Sequence, residues 1–110
     1  MRKENETIEI VSWDTDVTLK TIHVFEATLN ALTNIDNDKI ILKFIGVNYM
    51  NSAGLGVLVD TVLKVRRTAK QVVLVGVTEA LMEIFSIVKI TSIIQVFPTL
   101  EEAYYYYRNE

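Results

Sequence analysis

A chain of 110 residues, half of them hydrophobic, holds enough apolar material for one core and too little for two. With 23% charged residues, one proline and four glycines, its composition is that of a folded globular protein, not a disordered or collagenous one. A net charge of −3, no cysteine and one histidine exclude a disulfide framework, a thiolate or histidine-rich metal site, a cysteine nucleophile and a broad positive field for nucleic acid.

Thr7 to Trp13 alternates, with Ile8, Ile10 and Ser12 on one side and Thr7, Glu9, Val11 and Trp13 on the other, the pattern of a strand near a sheet edge. Asp14, Thr15 and Asp16 offer turn and N-cap oxygens. Ile22, Phe25, Leu29 and Leu32 then recur at three- and four-residue steps and predict an amphipathic helix from Thr18 to Thr33. Asn34 to Asp38 is a polar turn. Lys39 to Val47 (KIILKFIGV) is a β-branched, nearly continuous apolar run, which predicts a central strand covered on both faces.

Beyond Asn48 to Gly54, helical spacing returns through Leu55, Leu58, Val59, Val62 and Leu63. It ends at Arg66, Arg67 and Lys70, cations that favour a helix C-terminus and read as a solvated face. Gln71 to Val77 predicts another buried strand, Thr78 to Lys89 another helix, and Ile93 to Phe97 a last strand stopped by Pro98. Thr99 can cap a final helix with Glu102 at capping-box spacing, packed through Leu100, Ala103, Tyr104 and Tyr107. Of the four consecutive tyrosines, Tyr104 to Tyr107, about half can face a core, so the others reach the surface and are open to a partner or dimer contact.

Strands that alternate with helices need crossover connections, so the fold class is α/β: a single domain over residues 1–110, with a small, mostly parallel β-sheet and α-helices packed on it. Lys43, Asp60, Lys64 and Lys89 interrupt every apolar stretch before it reaches the roughly 18 residues of a membrane span. The start, MRKENETIE, has no apolar signal-peptide centre. The expectation is a cytoplasmic protein that binds neither membrane nor nucleic acid.

The loop Tyr49-Met50-Asn51-Ser52-Ala53-Gly54-Leu55-Gly56-Val57 joins a buried parallel strand to a helix, and sites in such sheets are built at the carboxyl ends of strands. Gly54 and Gly56 allow close backbone approach, and Ser52 lies where free N–H groups at a helix start can receive an oxygen or a phosphate. The same residues are also compatible with Ser52 acting only as an N-cap and the glycines only shaping a tight turn. Val57 and Leu58 follow Gly56 where a Walker-type loop needs Lys and Ser or Thr, which excludes nucleotide hydrolysis by that motif. A serine hydrolase would need a base for Ser52, but His23 falls within a helix, and Met50 occupies the place of the elbow glycine. Asp14/Asp16, Asp36/Asp38 and Glu101/Glu102 read as turn and helix-start residues.

The strand KIILKFIGV, the loop YMNSAGLGVLV, the strand QVVLVGV and the helix after it resemble the STAS domain of the bacterial anti-sigma factor antagonist family, over Lys39 to Tyr104. The family loop reads Asp-Ser-(Ser/Thr/Ala)-Gly-Leu-Gly. Ser52, Ala53, Gly54, Leu55 and Gly56 follow it, with Asn51 in place of the acid. The resemblance implies a non-enzymatic switch without cofactor or metal. Ser52 would be the phosphoacceptor of a serine kinase that is also an anti-sigma factor; the unphosphorylated chain would sequester that kinase and release a sigma factor for transcription. A phosphatase would reset it, and any ATP belongs to the kinase.

The implied partner-binding residues are Met50, Asn51, Ser52, Ala53, Gly54, Leu55 and Gly56, with Met50 expected to touch the partner and Val59 to pack on the sheet. The alternative is an unphosphorylated structural STAS module of a larger sensory or signalling complex, Asn51 marking loss of the kinase response. The family has two strands before its first helix where one is found here, with Asp14 or Asp16 approximating the acid of the usual Gly-Glu-Leu-Asp turn. A missing edge strand would leave backbone open to self-association, so a homodimer is compatible.

Overall fold

β-Branched runs become strands and apolar stripes become helices, in the predicted order. The computed structural model describes residues 7–109; the start MRKENE, and any strand ahead of the first one, concern residues outside that range. The elements are β1 (Ile8–Trp13), α1 (Ile22–Asn30), β2 (Lys39–Phe44), α2 (Ser52–Arg67), β3 (Gln71–Val75), α3 (Glu79–Ile87), β4 (Val96–Phe97) and α4 (Leu100–Arg108). All four described strands run parallel in the order β1-β2-β3-β4. β1 lies in register along β2, from Ile8 opposite Lys39 to Trp13 opposite Phe44.

Strand pleating divides the core in two. Ile40, Leu42, Phe44, Val72 and Leu74 join Phe25, Leu29, Leu58, Val62, Leu81 and Phe85 in a larger core under α1, α2 and α3. Their alternate neighbours Ile41, Val73 and Val75 face the other way and pack against Ala103 and Tyr107 of α4. This two-sided burial is why β2 and β3 are apolar at almost every position, and why β1, at the edge, alternates.

Several predicted boundaries move, at α1 and β4 because hydrogen bonds are taken elsewhere and at β2 and β3 because a glycine turns the chain; β3 ends at Val75 and not at Val77, before Gly76 at φ +79°. Instead of starting at Thr18, α1 starts at Ile22, since residues 18–21 form a tight turn. There the Thr21 hydroxyl accepts from the Thr18 N–H at 2.9 Å and donates to the Asp16 carbonyl at 2.6 Å. After Asn30 the helix tightens into a 3-10 turn, Ala31–Asn34. β2 ends at Phe44 and not at Val47, because the chain turns at Gly46, whose φ is +65°. Ile93 and Ile94 leave β4 because their N–H groups both bond back to the Ile90 carbonyl, at 2.9 and 3.1 Å, so only Val96 and Phe97 pair with β3.

α4 is held by its last turn. The buried Tyr107 hydroxyl donates to the Ile40 carbonyl at 2.7 Å and lies 3.1 Å from the Gln71 carbonyl, while Lys39 Nζ donates to the Tyr107 carbonyl at 2.8 Å. Tyr107→Phe should therefore destabilise the fold by about 1–2 kcal/mol, read from urea unfolding, by removing one buried hydrogen bond without a cavity. At the end of α2, the Lys70 N–H bonds to the Val65 carbonyl at 3.3 Å across Ala69, which sits at φ +62°. A residue with a Cβ is disfavoured there, so Ala69→Gly should stabilise by about 0.5–1 kcal/mol in the same measurement.

Candidate functional site

At the carboxyl end of the sheet, three connections are fastened to one another. Val17, between β1 and α1, pairs with Met50, between β2 and α2, as a detached parallel bridge. The Val17 N–H donates to the Tyr49 carbonyl and the Asn51 N–H to the Val17 carbonyl, both at 3.0 Å. Asp16 Oδ1 reinforces the bridge by accepting from the N–H groups of Asn48, at 2.8 Å, and Tyr49, at 3.3 Å. From the third connection, the Thr78 hydroxyl donates to the Val47 carbonyl at 2.8 Å and accepts the Leu81 N–H at 3.2 Å as the cap of α3.

These ties deliver the start of α2 as a fixed rim. Asn51, not Ser52, is the N-cap: its side-chain oxygen accepts from the Gly54 N–H at 2.8 Å. Asn and Asp cap helices about equally well, so the amide performs this duty as a carboxylate would. Ser52 is the first residue of the helix and is exposed. The Asn51 N–H is spent on Val17, the Gly54 N–H on the cap and the Leu55 N–H on the Asn51 carbonyl at 3.0 Å. The N–H groups of Ser52 and Ala53 remain for solvent or an incoming oxygen, at the positive end of a 16-residue helix.

The seven residues expected to touch a partner divide by burial. Ser52, Ala53 and Gly56 are exposed and Asn51 and Leu55 half-buried, so these form the accessible rim. Met50 is 2% exposed and belongs to the larger core, which overturns its expected contact role. Gly54 is buried too: a Cβ there would come within 2.7 Å of both Met50 Cγ and Val17 Cγ1. Val59 packs against the larger core as expected. Gly54 and Met50 thus shape the rim from beneath. His23 is exposed on α1.

The expected partner-contact set left out Leu19 and Tyr49, although Tyr49 opens the loop singled out in the sequence. With Thr18, Lys20 and Asn51 they line an open cleft of about 520 Å³ next to the rim, and they are 88% and 47% exposed. The available signal was that Leu19 falls outside the α1 stripe of Ile22, Phe25 and Leu29, so no helix face could bury it.

The STAS domain family model matches residues 1–103. Among solved structures, a Thermotoga maritima protein described as an anti-sigma factor antagonist superposes with a TM-score of 0.82 at 21% identity, over 93% of this chain and 88% of that one. The anti-sigma factor antagonist SpoIIAA in its unphosphorylated form gives 0.66 at 15% identity, over 100% and 96%. The murine Solute Carrier 26 family anion transporter gives 0.83 at 18% identity, over 98% of this chain but only 19% of the transporter.

Gly54→Ala should destabilise by about 1–2 kcal/mol, the overpacking between Val17 and Met50 outweighing the helix-propensity gain. Gly56→Ala, where a Cβ meets nothing within 4 Å, should stabilise by up to about 1 kcal/mol. Paired thermal melts of the two variants check the contrast in sign.

Proposed function

The chain belongs to the STAS domain family, and on that premise we propose that it is an anti-sigma factor antagonist switched by phosphorylation of Ser52. The observation that carries this reading is the exposed Ser52 hydroxyl at the first position of α2, beside two N–H groups without a protein acceptor, on a rim fixed by the Val17–Met50 bridge.

In the unphosphorylated state the rim formed by Asn51, Ser52, Ala53, Leu55 and Gly56, extended by Leu19 and Tyr49, docks on a serine kinase that is also an anti-sigma factor. Sequestering that kinase releases the sigma factor. The kinase supplies ATP and the base. Ser52 Oγ attacks the γ-phosphorus as the bond to the ADP oxygen breaks, and the hydroxyl proton passes to the kinase. The product carries nearly two negative charges.

Within the domain that charge is tolerated, since the open N–H groups and the helix dipole favour it. Asn51 adds no carboxylate to repel it. Across a docked interface the same charge must be desolvated against apolar neighbours such as Leu19 and Tyr49, and binding is lost while the fold persists. A phosphatase returns the chain to its binding state in the cytoplasm. A second reading, an unphosphorylated module within a larger signalling assembly, draws on the likeness to a domain that makes up 19% of a transporter.

Affinity capture from native-host lysate with wild-type, Ser52→Ala and Ser52→Asp chains separates the two. An ATP-binding anti-sigma kinase should be retained by the first two and weakened at least about tenfold, or 1.4 kcal/mol, by the third. The purified kinase with ATP should add one phosphate to wild type and none to Ser52→Ala. Equal retention on all three chains would replace the switch with the structural module.

A further inference from the structure

On the opposite side of the sheet from α2, Glu101, Glu102, Tyr105, Tyr106 and Asn109 follow one another along α4 at i, i+1, i+4, i+5 and i+8. With Phe97 of the edge strand β4 they line an open groove of about 540 Å³. Its floor is preformed. The Phe97 and Tyr106 rings lie 5.1 Å apart, and the Tyr106 hydroxyl accepts from Gln71 Nε2 at 2.8 Å. Tyr105 stands on the rim, 69% exposed. Glu101 and Glu102 are exposed, and neither forms an ion pair among the described residues. The helix dipole accounts for acids in the first turn of α4, but not for the exposed Tyr105 ring beside them.

We propose that this groove docks a short segment of a partner protein in which an aromatic or aliphatic side chain is flanked by Lys or Arg. The apolar side chain displaces water from Phe97 and Tyr105. The flanking cations meet the two free carboxylates and the face of Tyr105, which selects basic partners and speeds their encounter. A second copy of this chain fits poorly: a parallel two-fold contact through α4 would set acidic rim against acidic rim, and an antiparallel one would offer each pair of carboxylates only Arg108, which already lies 5.3 Å from the Tyr104 ring. The larger core and the sheet separate the groove from Ser52, so a partner held here stays bound whatever the state of the serine.

The test is a titration of the isotope-labelled whole chain with two synthetic peptides, followed by amide resonances. Both carry a Leu-Trp centre, one flanked by Lys-Arg pairs and the other by Glu pairs; sedimentation of the free chain accompanies them. The basic peptide should give saturable shifts at Phe97 and along 101–109, and bind at least about tenfold more tightly than the acidic one. Tyr105→Ala should weaken it about tenfold. The double variant E101Q/E102Q should erase most of the preference with the remaining spectrum unchanged, and Ser52→Asp should leave binding unaltered. The proposal is overturned by an absence of α4 shifts at about millimolar basic peptide. An equal response to both peptides, or a dimer of the free chain that shields α4, overturns it as well.

Discussion

The pairing of Val17 with Met50 extends the parallel ladder one step past the sheet, and the geometry of the α2 start depends on it. Loops leaving a parallel sheet ordinarily diverge, each following its own helix. Here two backbone hydrogen bonds and the Asp16 carboxylate hold them side by side, and the missing side chain of Gly54 lets α2 pack directly on both Val17 and Met50. Ser52, the first residue of α2, is exposed on that rim.

Two-sided burial of the central strands is the second constraint. β2 and β3 present apolar residues to both faces, so three helices on one side leave Ile41, Val73 and Val75 needing cover. α4 supplies it with few residues, Ala103 allowing close approach and Tyr107 reaching through to the Ile40 carbonyl. Because one helix of nine residues has to do this, its aromatic side is broader than the strip it buries, and Tyr105 remains in solvent. The surplus faces away from α2, so the chain carries two chemically different surfaces: an uncharged rim around Ser52 with Leu19 and Tyr49 beside it, and an aromatic, acid-edged groove.

The strand–helix alternation was legible in the residues, because apolar periodicity records which faces are buried, and the family was legible through the resemblance of the Ser52-to-Gly56 loop and its flanking strands. The Asn51-to-Gly56 segment was legible as the turn from a buried strand into a helix at the carboxyl end of the sheet, where the structure places it. The cap was read one residue late. Both Asn51 and Ser52 are good capping residues, and only the observed Asn51-to-Gly54 hydrogen bond separates them.

What the sequence determined by itself was local: which segments are strands or helices, which faces they bury, and that Ser52 stands near a helix start. The tertiary structure decided what depends on contacts between distant segments. It sent Met50 into the core by pairing it with Val17, and brought Leu19 and Tyr49 to one cleft. In each case a hydrogen bond or side-chain contact with a residue outside the local repeat took precedence, and periodicity within one segment carries no record of the partner across the fold.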